Sequence, residues 1–276
     1  MKVEVETTEL PWRVEDIDFG RVDPTLAARD EDLVVLLCAS SFIESGSDLY
    51  TTNLSTYFKG DDEVASWLNS TWEHEELQHG RALKTYIATV WPDFDWDAAF
   101  ATFFEEYAKT CKVEYFEKTR ALEMVARCVV ETGTATLYRA INQCCDEPVL
   151  KQLTENIRSD EVRHYKHFYR YFKKYNAVER NGRLKVLGAL VRRVAEIKNE
   201  DSDIALRHVY RHRYPDAPHD DARFRQLSRR VNKLVRRNLS ADMCIKMLLK
   251  PLELPASVQP KIQYPLAAIT QRIFFR

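Results

Sequence analysis

TWEHEELQHGRAL, residues 71–83, sets three glutamates and two histidines within seven positions, from Glu73 to His79. At 100° per residue, Glu76 and His79 lie about 60° apart around a helix axis and can reach one point, whereas His74 and His79 lie about 140° apart. Two histidines at i and i+4, the helical zinc-protease pattern, are therefore missing. A single E-x-x-H has a plain alternative, a solvated polar face. The spacing recurs 85 residues downstream in RSDEVRHYKHF, residues 158–168, at Glu161 and His164. Each copy has an acid directly ahead of it, Glu75 and Asp160.

Each copy also follows a helix with a glutamate on its core side. In LVVLLCASSFIESG, Leu33, Leu36, Leu37, Ser40, Ile43 and Glu44 share one broad face. Glu44 precedes Glu76 by 32 residues, and Glu131 precedes Glu161 by 30. Two similar helix pairs thus offer one glutamate and one E-x-x-H each, the ligand set of a carboxylate-bridged di-iron four-helix bundle. Carboxylates bridge and shift between two iron ions, and neutral imidazoles cap them and leave positions open. Glu44, Glu76, His79, Glu131, Glu161 and His164 are the expected ligands of two Fe ions. Ligating imidazoles usually give their second N–H to a carboxylate, which makes Glu75 and Asp160 candidate partners. Either also has a solvent-facing reading, Glu75 more so than Asp160. Glu73, His74 and His167 have no comparable case, and His208, His212 and His219 are assigned no role.

The rest of the chain suits an all-α protein. Only seven glycines occur in 276 residues, and between Pro24 and Pro215 the only prolines are Pro92 and Pro148. Helical spacing of apolar residues runs through 25–58, 62–90, 97–145 and 149–175. Asp61 or Asp62 caps the second stretch, and the third divides into two pieces near 112–120, long enough for a crossover helix between antiparallel pairs. Basic helices follow around 183–199, 221–238 and 240–249. PLELPASVQPKIQYP, residues 251–265, contains four prolines and reads as an extended strap before a short amphipathic end. The division expected is an N-terminal extension (1–28), a bundle (29–176) and a basic helical elaboration of the same domain (177–276).

From Arg180 onward there are 21 Lys and Arg against nine Asp and Glu, so the net −1 of the whole chain conceals a basic C-terminal third. Such a surface suits an acidic partner, nucleic acid or an anionic membrane, or is simply a solvated helical face. The longest apolar run, Leu33–Ala39, falls short of the ~20 residues of a membrane span, and MKVEVETTELPW has no apolar run, so no export signal is expected. Six cysteines without a C-x-x-C pair suit reduced thiols in the cytoplasm.

On these motifs the chain resembles the ferritin-like di-iron carboxylate superfamily, and within it the soluble acyl-acyl-carrier-protein desaturases. Their E-E-x-x-H-G and D-E-x-R-H motifs stand here as Glu75-Glu76-Leu77-Gln78-His79-Gly80 and Asp160-Glu161-Val162-Arg163-His164. The resemblance covers about residues 30–175. It implies a ferritin-like bundle that uses O2 and two external electrons to desaturate or hydroxylate a fatty acyl chain. It further implies an acyl carrier protein or another acyl or small-molecule substrate, a ferredoxin-like electron donor and a homodimer. Desaturases carry a threonine three residues after the third-helix glutamate; here that is Thr134, whose hydroxyl would assist catalysis or else bond its own helix backbone. Ribonucleotide reductase small subunits place a radical tyrosine where Leu83 stands, which disfavours that role, although Tyr86 and Tyr138 keep it open. Two alternatives remain from the same ligand set, a bacterioferritin- or rubrerythrin-like ferroxidase and a di-iron N-oxygenase. A nucleic-acid binder would leave the ligand set unexplained.

Overall fold

The computed structural model describes residues 10–273 except 112, 114, 115 and 198–200. The first nine residues of the expected extension, part of the 112–120 join and the end of the helix expected over 183–199 lie outside the described residues. Every regular element among the described residues is helical. Four helices make the bundle: α1 (Glu31–Ser45) pairs with a second long helix over Glu73–Val90, and Arg120–Cys144 pairs with Pro148–Glu179. In chain order the elements are α1, α2 (Ser47–Tyr57), α3 (Asp62–Trp67), α4 (Glu73–Val90), α5 (Trp96–Tyr107), α6 (Arg120–Cys144) and α7 (Pro148–Glu179).

Local chemistry explains the boundaries. Asp30, Asp61, Asp95 and Thr119 accept backbone N–H bonds at the starts of α1, α3, α5 and α6, so of the two candidate caps Asp61 is the one used. Glu147 caps α7, whose first residue is Pro148, where a missing N–H costs no helical bond. The stretch expected as one helix over 25–58 is instead interrupted. A single turn, Pro24–Ala27, precedes α1, and the chain bends at Gly46 before α2. Between α3 and α4, Leu68–Trp72 forms a π-helical segment. Its wider winding adds a residue just ahead of the first E-x-x-H.

The stretch Glu31–Tyr57 contains an 18-residue window apolar and long enough to span a bilayer, but 72% of that window is buried inside the protein. Its apolar character is used in the core. That core comprises two apolar clusters. One gathers Leu33–Phe42 of α1 with Leu83 and Tyr86 of α4 and Leu150, Leu153 and Ile157 of α7. The other gathers Leu54, Phe58, Trp72, Val125, Val129, Phe168 and Phe172. Along α6 and α7 alike, one end enters the first cluster and the other end the second. Between them lies a buried layer of polar side chains.

Beyond the bundle run α8 (Arg183–Ile197), α9 (Asp201–Arg213), α10 (Asp221–Asn238), α11 (Ala241–Leu249) and α12 (Gln259–Ile273). Helix α9 is not among the elements expected from periodicity. It is short and has a narrow apolar stripe, Ala205, Leu206, Val209 and Tyr210, which packs on α1 and α5. The proline-rich strap is also shorter than expected. Pro260 sits in the first turn of α12, where it is tolerated, and Pro265 lies inside the helix, so the irregular stretch shrinks to a few residues around Glu253–Val258.

Gly80 shows how tightly α1 and α4 meet. A Cβ there would lie 2.3 Å from Ser45 Oγ and 2.8 Å from the Ser45 backbone nitrogen. Gly80→Ala should therefore push the helices apart and destabilise the protein by about 1–3 kcal/mol, seen as a lower thermal midpoint. Adding Ser45→Ala should restore only part of the loss, because the backbone clash persists; full stability of the single variant would refute this close approach.

Candidate metal centre

All six expected ligands are buried and meet in the polar layer. Glu44 comes from the last turn of α1, Glu76 and His79 from α4, Glu131 from α6, and Glu161 and His164 from α7. Their donor atoms form two groups, Glu44, Glu76, His79 and Glu161, and Glu76, Glu131, Glu161 and His164. Within each group the atoms lie within 4.8 Å of one another. Glu76 and Glu161 belong to both groups, the arrangement that two bridging carboxylates would have.

His79 Nδ1 lies 3.6 Å from Glu44 and 3.3 Å from Glu161. His164 Nδ1 lies 3.1 Å from Glu76 and 3.5 Å from Glu131. Neither nitrogen makes a hydrogen bond, and neither do Glu131 Oε2 and Glu161 Oε1. Four buried polar atoms without a hydrogen bond in one spot are costly in a packed interior. A pair of divalent cations would satisfy them, so the donor set fits the metal it suggests.

The other ring nitrogens are held by a crossed pair of carboxylates. His79 Nε2 donates to Asp160 at 2.9 Å, and His164 Nε2 donates to Glu75 at 2.6 Å. The acid beside each motif thus serves the histidine of the other motif, and Glu75 is buried rather than solvent-facing. Arg163 ties the two together, donating to Glu75 and to Asp160 at 2.8 Å each. Trp12 donates its indole N–H to Asp160 at 2.7 Å and stacks parallel to His79, while Gln78 holds the Trp12 carbonyl. Trp12 leaves no mark in the sequence pattern, because its contact spans 148 residues without any periodic signal. Arg163 is visible within the second motif, but nothing in the spacing assigns it a role.

Thr134 bonds both its own helix backbone and a residue of the centre. Its hydroxyl donates to Glu161 at 2.6 Å and lies 3.2 Å from the Glu131 carbonyl. Tyr138, two turns beyond Glu131 and so on the same face, donates to Glu44. His74 is exposed, His208 bonds Thr102 and Glu106, and His167 stacks on Trp67, whose ring also packs edge-on against His164.

Without metal, protons balance the charge. Burial opposes a charge on His79, but Asp160, Glu161 and Glu44 outweigh it and raise its pKa well above the ordinary value. Burial likewise opposes a charge on His164, and there Glu131, Glu75 and Glu76 prevail. Burial, then the Glu161 carboxylate, push Glu131 up to about 8, and the same two causes raise Glu76. Asp160 falls to about 2 because its bonds to His79 and the charge of Arg163 overcome its burial.

These shifts define a pH dependence. The metal-free folded state holds protons that the unfolded chain releases above the ordinary values, 4.5 for Glu131 and 6.5 for the histidines. Their stabilisation is complete below those values and is lost as pH rises toward about 8 and beyond. The metal-free protein should therefore melt at a lower temperature at pH 8 than at pH 5. Metal competes with the same protons, so added Fe(II) or Mn(II) should stabilise more as pH rises. Calorimetry with chelator and with metal measures both, and a metal-free midpoint that climbs from pH 5 to 8 would contradict the proton balance.

No curated protein matches the chain. A model of the fatty acid desaturase family matches residues 21–199, which span α1 to α8 and all six buried donors. With well over half its length matched, this chain belongs to the fatty acid desaturase family.

Proposed function

We propose that this protein is an O2-dependent di-iron oxidoreductase that desaturates or hydroxylates a fatty acyl chain. The observation that carries the reading is the sharing of Glu76 and Glu161 between the two Glu/His groups. Glu44 and His79 would hold one iron, Glu131 and His164 the other, and Glu76 and Glu161 both. Two iron ions there would supply the activation of O2 needed to break an unactivated C–H bond.

The chain's own residues supply orientation and protons. Asp160 and Glu75 fix the histidine rings with Nδ1 turned to the centre, and Arg163 holds both acids in place. Thr134 Oγ1 carries a proton at hydrogen-bond distance from Glu161, placed to pass it on when the carboxylate shifts. The two apolar clusters seal the centre from water on both sides.

The substrate is presented on an acyl carrier protein, the two electrons come from a ferredoxin-like donor, and the working form is a cytoplasmic homodimer. What supports a carrier is α10. Arg225, Arg229, Lys233, Arg236 and Arg237 are exposed along it, a basic face for an acidic partner.

Anaerobic titration should bind about two Fe(II) per chain, and a stoichiometry of one or none would reject the centre. Asp160→Asn and Glu75→Gln should each weaken metal binding by about 10–100-fold while the helical spectrum persists. Thr134→Val should retain iron but consume O2 without equivalent acyl product, detected by mass spectrometry against O2 uptake. Unchanged coupling would leave Thr134 a packing residue.

A further inference from the structure

Large apolar side chains that remain exposed among the described residues are confined to two places. They are α8 with the end of α7 before it, and α12 with Val258 before it. On α8 the exposed residues are Leu184, Leu187, Val191 and Val194, with Leu184 85% and Val191 60% exposed. At 100° per residue they span about 80° of the helix surface, while Val186, Ala189 and Leu190 face the protein. On α12 the row is Ile262, Leu266, Ile269 and Ile273, within about 60°, while Gln263 and Ala267 are buried beneath. Each helix therefore packs with one side and offers a second, apolar side to the surroundings.

The two helices belong to one region of the surface. Val186, Ala189 and Leu190 of α8 share an apolar cluster with Ala267 of α12 and with Leu249 and Leu252. Arg183, at the start of α8, donates to the carbonyls of Leu252 and Glu253 in the turn leading to α12. Basic residues border the rows. Lys185 lies on one flank of the α8 row, beside Arg192, whose guanidinium is paired with Glu117, and Lys261 and Arg272 lie on one flank of the α12 row. The only acid on either helix, Glu196 of α8, lies on the flank of Lys185 and Arg192 and is paired with Arg193.

We infer that α8 and α12 together dock this protein onto an anionic lipid surface. Aliphatic rows bordered by lysine and arginine are what an in-plane amphipathic helix presents to acyl chains and anionic headgroups. The lipid surface stands independently of the acyl reading, because it rests only on the apolar rows and the cations beside them. A stable patch of this kind on a water-facing protein calls for a cover, and the bordering cations select anionic lipid over neutral lipid.

Vesicle flotation with the full chain tests this without metal, substrate or turnover, so it can fail while the di-iron reading stands, and the reverse. The protein should float with vesicles of phosphatidylglycerol and phosphatidylcholine and much less with phosphatidylcholine alone. Val191→Asp with Ile269→Asp should abolish flotation. Lys261→Glu with Arg272→Glu should weaken it by at least tenfold, given about fivefold per basic residue near an anionic surface. The substituted positions are exposed, and unchanged circular dichroism and melting confirm that each variant is folded. Equal flotation of the wild type and the Asp variant would overturn the proposal, as would no flotation with either vesicle. Light scattering covers the remaining occupant: a dimer that the Asp variant splits into monomers, with no lipid binding by either form, would assign this face to a second copy of the chain.

Discussion

The structure is organised around a demand that water cannot meet, the placing of four carboxylates and two imidazoles in the middle of a four-helix bundle. Unpaired charges in such a place are among the most costly groups a fold can bury. The apolar core therefore splits into two clusters with a polar layer between them, and every bundle helix contributes to that layer. The helices must approach closely enough for the donors to meet, and Gly80, with no room for a Cβ against Ser45, lies directly after His79.

The crossed carboxylates turn two local motifs into one device. Asp160 holds His79 and Glu75 holds His164, so neither helix can orient its own histidine alone. Arg163 neutralises the two acids and joins them, and Trp12 brings the N-terminal segment into the same network. A positioned, buried centre of this kind suits an oxidoreductase of the fatty acid desaturase family.

Much of the centre is legible in the order of residues along the chain. Helical arithmetic singles out Glu76 with His79 and Glu161 with His164, and the paired upstream positions single out Glu44 and Glu131. Thr134 and the motif acids are visible as neighbours. Periodicity does not show contacts between distant segments, such as Trp12 with Asp160, or the crossing of Glu75 to His164. Helix breaks are legible only where a capping residue announces them. The bend at Gly46, the π-helical turn before Glu73 and the helix that absorbs Pro260 and Pro265 come from packing that local propensity does not encode.

By itself, then, the sequence determined the helical class and the six acidic and histidine residues that share one buried layer as two similar halves, because spacing along a helix fixes direction around its axis. Only the tertiary structure decided which carboxylates are shared, which acid holds which histidine, and which helix faces remain uncovered. Those depend on distances between helices, and these are set by the packing of the whole chain.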